Sequence, residues 1–383
     1  MNTVAAGAWE TLRVSDIADF GSGEQISVAS LAARSTSAFQ VPVFGGNGIA
    51  GYTNRALITN ITVILGRVGQ KCGVVYRTDE PAWVTDNALY ARRFKRPLDV
   101  RFLALILENA RLNDLRNRND LPLITQGILR GVVIQWPASP VVQAKIADTF
   151  ELVDQEIDAL DRLIRKERAI KQGMMQELLA GKTRLPGFTQ PWIKAAFEEL
   201  AAPVHERTDP RTAPANTKLV ELEHIESGGG RLLTSTTAQH AVSLKTVFLP
   251  GDVLFGKLRA YLRKYWLADF SGICSTEIWA LRAKPTAAGA YIRYLVETDR
   301  FIEVASGGYG THMPRSDWGA LRGIEFEVPP VDEQEAIASV LQDADSEIEI
   351  LHMRLKKAKA IKQGMMQELL TGRTRLPVAE AVA

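Results

Sequence analysis

The chain has 383 residues and a formal net charge of +2; hydrophobic residues make up 46% of it and charged residues 23%. This composition is that of an ordinary globular protein and excludes a disordered, fibrous or strongly basic chain, while the length predicts two or three domains. Two cysteines, Cys72 and Cys274, are too few for a disulfide framework or a cysteine zinc cluster. The N-terminus has no charged start followed by an apolar run, and the apolar runs are too short to span a bilayer. We therefore expect a cytoplasmic protein without a signal peptide or membrane contact.

The first 136 residues predict a mixed α/β domain. Residues 41–54 (VPVFGGNGIAGYTN), 63–76 (VILGRVGQKCGVVY) and 83–94 (WVTDNALYARRF) contain β-branched and aromatic runs. Glycine, proline, asparagine and aspartate interrupt these runs, as is typical of short strands joined by tight turns. Residues 100–112 (VRFLALILENARL) predict a helix.

A long helix is predicted within residues 137–191. Pro137 and Pro140 favour a helix start, and Gly181 favours a stop. Apolar residues recur in alternating steps of four and three, which is the a/d pattern of a coiled coil. They are Ile146, Phe150, Val153, Ile157, Leu160 and Ile164. The helix would contain roughly 35–40 residues and measure about 55–60 Å.

Residues 192–329 predict a second mixed α/β domain. Residues 248–266 (FLPGDVLFGKLRAYLRKYW), 272–283 (GICSTEIWALRA) and 306–318 (SGGYGTHMPRSDW) again indicate strands and turns. Residues 287–304 (AAGAYIRYLVETDRFIEV) are typical of helix.

The last segment, residues 330–383, repeats the first helical segment. Residues 361–377 read IKQGMMQELLTGRTRLP, and residues 170–186, 191 positions earlier, read IKQGMMQELLAGKTRLP. An internal duplication explains this near-identity. The apolar seam also recurs, at Ile337, Leu341, Ala344, Ile348, Leu351 and Leu355.

The order of charges predicts how the two helices pair. Both are acidic in their first half and basic in their second half. Antiparallel pairing opposes acid to base, whereas parallel pairing opposes like charges. The predicted fold is therefore α+β: two mixed α/β domains separated by two long helices, which pair as an antiparallel coiled coil with a pseudo-twofold internal repeat. In the alternative, each helix packs only on its own domain.

Over almost its whole length, the sequence resembles the specificity subunits of type I restriction-modification systems. The resemblance rests on the duplicated IKQGMMQELL, on the helix start P-x-x-x-Q-x-x-I at residues 330–337 with the corresponding start at residues 140–146, and on motifs of both halves. These motifs are PVFGGNGIAGY, GRVGQKCGVV, TDNALY, PGDVLFGKLRAYLRK, STEIWALR and ASGGYGTHMP.

The resemblance implies a non-catalytic subunit that binds a bipartite, asymmetric double-stranded DNA target through two target recognition domains. It implies two modification subunits, which methylate adenine with S-adenosylmethionine, and restriction subunits in the same complex. S-adenosylmethionine, ATP and Mg²⁺ are implied for those partners and no cofactor for this chain. The helix pair is implied to set the gap between the half-sites.

The sequence lacks motifs that a methyltransferase, an ATPase or a metalloenzyme would require. The glycine-rich segments FGSG (residues 20–23) and FGGNG (44–48) are not accompanied by an NPPY-type segment, and no Walker-type phosphate loop is present. The five histidines form no HExxH pair, so no metal ligand or catalytic residue is predicted.

DNA contacts require polar side chains and cations on exposed turns, together with glycines that allow close approach. The candidates in the first domain are Gly46, Asn47, Gly48, Arg67, Gln70, Lys71, Asn87, Arg92 and Arg93. Those in the second are Lys257, Arg259, Tyr261, Arg263, Lys264, Ser306, Gly308, Tyr309, Thr311 and His312. Alternatively, the paired cations are solvated surface and the glycines only form turns.

The near-identical helical segment predicts a docking surface, because two identical partner subunits need two equivalent surfaces. The candidates are Gln172, Met174, Met175, Gln176, Gln363, Met365, Met366 and Gln367. Methionine as core filler is the alternative for this segment. For the whole chain, a coiled-coil scaffold that binds proteins without reading DNA and a self-sufficient methyltransferase are the alternatives. Salt-dependent affinity for duplex DNA would distinguish a DNA-binding subunit from the protein-binding scaffold. Binding of S-adenosylmethionine by the isolated chain would indicate the methyltransferase.

Overall fold

The computed structural model describes residues 8–115, 122–307 and 314–376. The chain divides into two compact units, of which the first comprises residues 1–161 and 353–383 and the second residues 162–352. Among the described residues, no helix is long and apolar enough to cross a membrane.

The first unit is built of short strands and helices. Its strands are β1 (Trp9–Arg13), β2 (Ala18–Ser22), β3 (Val41–Gly45), β4 (Gly48–Thr53), β5 (Thr62–Gly66), β6 (Val75–Thr78), β7 (Trp83–Val84), β8 (Ala88–Phe94) and β9 (Val133–Pro137). Its helices are α1 (Val14–Ile17), α2 (Val100–Asn109), α3 (Gln126–Gly131) and the first part of α4 (Pro140–Leu178). The strands form the sheets β2-β8-β5-β6 and β4-β3-β7 and the antiparallel pair β1-β9.

Strand β5 lies at the centre of the first unit, and all five of its residues are buried. Val63 and Leu65 belong to the same apolar cluster as Phe102 of α2, whereas Ile64 packs with Phe44 of β3. Successive strand residues point to opposite faces, so β5 contributes to two apolar clusters. This explains why it is a continuous apolar run rather than an alternating one.

The second unit follows the same order of elements with additional strands. Its strands are β10 (Ile193–Ala196), β11 (Ala201–Pro203), β12 (Arg207–Thr208), β13 (Lys218–Val220), β14 (Thr236–Thr237), β15 (Lys245–Phe248), β16 (Val253–Gly256), β17 (Tyr265–Leu267), β18 (Gly272–Cys274), β19 (Ile278–Ala283) and β20 (Glu325–Val328). Its helices are α5 (Phe197–Leu200), α6 (Gly289–Glu297), α7 (Asp299–Ser306), α8 (Trp318–Leu321), the last part of α4 and the first part of α9 (Val331–Leu369). The last part of α9 belongs to the first unit. The sheets are β11-β19-β16-β17 and β12-β15-β18-β13-β14, with the pair β10-β20.

The helical segment predicted at residues 287–304 contains two helices rather than one. Thr298 has an extended backbone, with φ −62° and ψ 145°, and its side chain accepts a hydrogen bond from the Phe301 N–H. A threonine that caps a new helix in this way ends the preceding one. The chain therefore turns between α6 and α7.

Helices α4 and α9 contain 39 residues each, about 58 Å, as their patterns predict. Gly181 and Gly372 follow them with φ of 65° and 72°, the left-handed conformation of a helix C-terminus. A Cβ on Gly181 would lie 3.1 Å from the Trp192 ring, and one on Gly372 would lie 2.8 Å from the Trp9 ring. Glycine is therefore required at both ends for conformation and for space.

Contacts between α4 and α9 occur inside each unit. In the first unit, Asp154 in the first half of α4 lies 2.6 Å from Lys362 in the second half of α9. In the second unit, Lys171 in the second half of α4 lies 2.7 Å from Asp345 in the first half of α9. Each contact joins an acidic to a basic helix half, in the order that the charge pattern predicts.

Two buried glutamines attach the starts of these helices to their units. The Gln143 amide donates to the Pro137 carbonyl at 2.8 Å and accepts from the Asp99 N–H at 2.9 Å. The Gln334 amide donates to the Pro329 carbonyl at 2.8 Å and accepts from the Ala288 N–H at 3.0 Å. Both side chains are fully buried, so each satisfies backbone groups that water cannot reach.

Candidate nucleic-acid interface

Three turns of the first unit converge at the ends of β3, β5 and β7. The Arg67 N–H donates to the Asn87 carbonyl at 3.0 Å. A Cβ on Gly46 would lie 2.8 Å from the Val68 carbonyl oxygen, so only glycine allows these turns to approach so closely. Asn47 beside it is exposed. The structure therefore brings Gly46, Asn47, Arg67 and Asn87 together.

The remaining members of this surface flank the three turns. Gly48 has φ +102° and completes the turn between β3 and β4. Gln70 and Lys71 are exposed in the loop between β5 and β6. The side-chain amide of Asn113 holds this loop by donating to the Cys72 carbonyl at 2.9 Å.

Arg67 and Arg92 both contact Ser22. Arg67 donates to the Ser22 hydroxyl at 3.2 Å, and Arg92 donates to the Ser22 carbonyl at 2.5 Å. The Arg92 guanidinium also lies over the Tyr90 ring, 5.5 Å from its centroid. The two cations are thus held beside one another.

Arg93 does not join this surface. It pairs with Asp19 at 2.9 Å, and Lys95 lies 2.7 Å from the same carboxylate. Hydrogen bonding from Lys95, assisted by Arg93, lowers the pKa of Asp19 against the opposing effect of desolvation. The pairing of β8 with β2 shifts at Arg92, which is the extra residue of a β-bulge, and the two neighbouring arginines have different partners, Ser22 for Arg92 and Asp19 for Arg93. The expected DNA contact of Arg93 stays a prediction, without support from this geometry.

The second unit has the same backbone arrangement with different side chains. The Lys257 N–H donates to the Glu277 carbonyl at 2.8 Å, as Arg67 donates to Asn87. Burial lowers the pKa of Lys257, the charge of Glu277 opposes this, and the nearby charges of Arg207 and Arg315 lower it further. Lys257 therefore lies in a basic cluster.

Arg207, Glu277 and Arg315 are members of this cluster that the sequence alone did not identify. Arg315 pairs with Glu277 at 2.9 Å and lowers the pKa of its carboxyl. Arg315 lies three residues after the glycine-rich segment at residues 306–312, and this position could have indicated it from the sequence. Arg207 stands in a stretch without a motif, and only the fold brings it near Lys257.

The other second-unit candidates differ in their exposure. Tyr261 is 53% exposed at the tip of its loop, and Arg259 is partly buried. Arg263 donates to the Glu297 carbonyl at 3.0 Å, and the Lys264 ammonium donates to the Leu222 and Ile225 carbonyls at 2.6 and 2.8 Å. Arg263 and Lys264 thus hold the unit together, and their DNA contacts stay predictions.

Ser306 ends α7 with a buried hydroxyl that has no partner among the described residues. Gly308, Tyr309, Thr311 and His312 lie outside the described residues. Within the described parts of the chain, no group of three or more His, Cys, Asp or Glu side chains could hold a metal ion.

A family model described as "Type I restriction modification DNA specificity domain" matches residues 230–360, which contain Lys257, Glu277 and Arg315 of the basic cluster. The chain is 25% identical over 189 residues to the type I restriction enzyme EcoDI specificity subunit of Escherichia coli. It is 24% identical over 150 residues to the EcoprrI specificity subunit of the same species. The chain is thus similar, over part of its length, to type I restriction-modification specificity subunits.

The alignments cover 49% and 39% of this chain and only 42% and 37% of those two relatives. The fold likeness is more extensive. The type I restriction-modification S subunit from M. genitalium superposes with a TM-score of 0.66, over 97% of this chain and 98% of that chain, at 14% identity. At this identity, the superposition shows a shared fold.

In this chain, the duplicated segment divides into two faces. Met175 is buried in the core of the second unit, and Met174 packs against that core. Met365 and Met366 pack against the core of the first unit. The four glutamines of the duplicated segment are exposed: Gln172, Gln176, Gln363 and Gln367. Gln172 and Gln176 also line a groove of about 1130 Å³ in the second unit. The methionines thus contact the cores, and the glutamines remain available to a partner.

Proposed function

We propose that the chain is a non-catalytic reader of a bipartite, asymmetric double-stranded DNA target, with one half-site for each unit. The match of residues 230–360 to the DNA specificity domain supports this proposal, and the fold supplies two versions of one loop arrangement. We expect the protein to act in the cytoplasm.

The observation that carries the proposal is that equivalent backbone positions bear different polar side chains. The same N–H to carbonyl bond joins Arg67 to Asn87 in the first unit and Lys257 to Glu277 in the second. Arginine, lysine, asparagine and glutamate favour different base edges or phosphates. A common frame with different side chains suits two unlike half-sites.

We further propose that α4 and α9 pair as an antiparallel coiled coil along their whole length, with a pseudo-twofold repeat. The acid-to-base contacts within each unit support this. Residues 1–136 and 192–329 would form the two target recognition domains, and residues 137–191 and 330–383 the spacers. A length of about 58 Å corresponds to about 17 base pairs, which sets the scale of the gap.

Two modification subunits and the restriction subunits are the proposed protein partners. The exposed glutamines of the duplicated segment give two equivalent docking positions, as two copies of one partner require. In this proposal, S-adenosylmethionine, ATP and Mg²⁺ belong to the partner subunits, and this chain binds no cofactor.

A selection from random duplex DNA, with the full chain and its modification subunit, tests the proposal. We expect two short, different motifs at a fixed gap. Binding that depends on salt but not on sequence, or no binding, would reject it and favour a protein-binding scaffold.

Arg92→Ala and Arg93→Ala form a matched pair for the first half-site. We expect Arg92→Ala to reduce affinity for the selected target by about tenfold and Arg93→Ala to have a clearly smaller effect, because Arg93 lies with Asp19. Equal losses would show that the surface defined by Ser22 and Arg67 is not the interface.

A further inference from the structure

Two corresponding loops, one between β5 and β6 and one between β16 and β17, have the same backbone conformation. The same N–H to carbonyl bonds fix both loops. They are Gly66–Val74 at 2.9 Å and Gly69–Pro122 at 3.0 Å in the first loop, and Gly256–Lys264 at 2.8 Å and Arg259–Pro314 at 3.0 Å in the second. The two loops therefore correspond residue by residue, 190 positions apart.

This loop conformation requires two residues with positive φ in each loop. The first loop uses glycine at both positions, with φ +92° at Gly69 and +86° at Gly73. The second loop uses arginine, with φ 53° at Arg259 and 51° at Arg263. A side chain in the left-handed region is strained where glycine is not, so the second loop holds strain that the first avoids.

The contacts of Arg263 explain its presence. Its guanidinium donates to the Glu297 carbonyl at 3.0 Å and pairs with the Asp299 carboxylate. These bonds tie the loop to α6 and α7, and glycine could not make them. The strain at this position is offset within the folded chain.

Arg259 has no such compensation in the described part of the chain. Its Nε is buried without a hydrogen-bond partner, and no described side chain pairs with its guanidinium. The chain next to it is basic, because Lys257 and Arg315 lie near one another. Tyr261, two residues further on, is 53% exposed. Strain that folding contacts do not offset is typical of positions that contact a ligand.

We propose that Arg259 is a specificity-determining residue of the second half-site, where its guanidinium binds the major-groove edge of a guanine. The inference rests on the proposed DNA-reading function and assigns one position of its target. Arginine is suited to the O6 and N7 acceptors of guanine, which it binds with two hydrogen bonds. Phosphate contacts can be made by Lys257, Arg207 and Arg315, which need no left-handed backbone. The first loop has glycine at the equivalent position and makes no such contact.

The test compares Arg259→Gly with Arg263→Gly in the full chain bound to its modification subunit. The melting temperature is measured for each variant, and affinity is measured for the selected target and for targets altered one base pair at a time. We expect Arg259→Gly to melt at the same or a higher temperature and to bind the selected target about tenfold to a hundredfold more weakly. Its preference should disappear at one guanine–cytosine pair of the second half-site only. Arg263→Gly should melt at a lower temperature, because it loses the bonds to Glu297 and Asp299.

Three results would overturn the inference. A lower melting temperature for Arg259→Gly with unchanged affinity would give Arg259 a structural role. A uniform loss over all targets with a shallower salt dependence would make it a phosphate contact. If the unaltered chain shows no sequence preference, the proposed function itself is rejected. The measurement on the unaltered chain therefore distinguishes this outcome from a failure of the inference about Arg259.

Discussion

The lysine of the duplicated segment lies in two different environments. Lys171 is only 9% exposed and contacts both Glu297 and Asp345, at 2.8 and 2.7 Å. Arg293, also buried, contacts the same two carboxylates at 2.8 and 2.9 Å. Lys362 is 27% exposed, and its partner Asp154 is 43% exposed. Identical sequence therefore does not imply an identical energetic contribution.

We expect Lys171→Met to lower the free energy of unfolding by about 3 kcal/mol, because two partly buried carboxylates, those of Glu297 and Asp345, would then share one arginine. Lys362→Met should cost about 1 kcal/mol or less, because water screens the exposed pair. Thermal and urea unfolding of the two variants would measure the difference. Adding Asp345→Asn to Lys171→Met should restore part of the lost free energy of unfolding. If the effects of the two substitutions on the free energy of unfolding simply add, the two residues do not belong to one network.

At the scale of elements, the long helices could be predicted because each contains 39 residues. Over that length, the apolar a/d spacing repeats often enough to be recognised despite single exceptions. Strands such as β12 and β14 contain two residues each and carry no period, so only pairing in the fold defines them. The candidate site shows the same limit. Arg92 and Arg93 are adjacent in sequence but have different partners, Ser22 and Asp19, and Lys264 binds backbone carbonyls that lie about 40 residues away in sequence.

The start of α2 and the first half of α4 are joined through Arg101. Its guanidinium lies 2.7 Å from Asp99, 2.6 Å from Asp148 and 3.0 Å from Glu151. Burial opposes ionisation of Asp99, but the hydrogen bonds from Arg101 lower its pKa overall. Arg77 and Arg101 likewise lower the pKa of Glu151. Both carboxyls therefore stabilise the fold above their unfolded pKa values, and this stability is lost as the pH falls through the lower folded values.

We expect Arg101→Gln to lower the free energy of unfolding at pH 7 by about 2 kcal/mol. The difference from the unaltered chain should shrink between about pH 5 and pH 3, because Asp99 and Glu151 become protonated in both proteins. Urea unfolding at a series of pH values measures this. Arg211→Gln, which removes an exposed pair with Asp209, is the control and should have a smaller effect. A difference that is independent of pH would show that Arg101 acts by packing alone.

At the scale of the whole molecule, the proposed spacer makes the gap between half-sites a function of helix length. Deleting residues 157–163 together with 348–354 removes one heptad at equivalent positions of both helices and keeps the apolar seam in register. Each helix would shorten by about 10.5 Å, which corresponds to about three base pairs. We expect selection with this variant to return the same two half-sites with a gap about three base pairs shorter.

The affinity of the shortened chain should also fall. Three base pairs rotate one half-site by about 100° around the DNA axis, since one turn takes about 10–10.5 base pairs. A recognition domain must then reorient, or the DNA must twist, and either costs free energy. A four-residue deletion in both helices is the control, because it displaces the a/d seam and should lower the melting temperature. An unchanged gap in the heptad variant, with both half-sites still read, would show that the helices do not set the spacing.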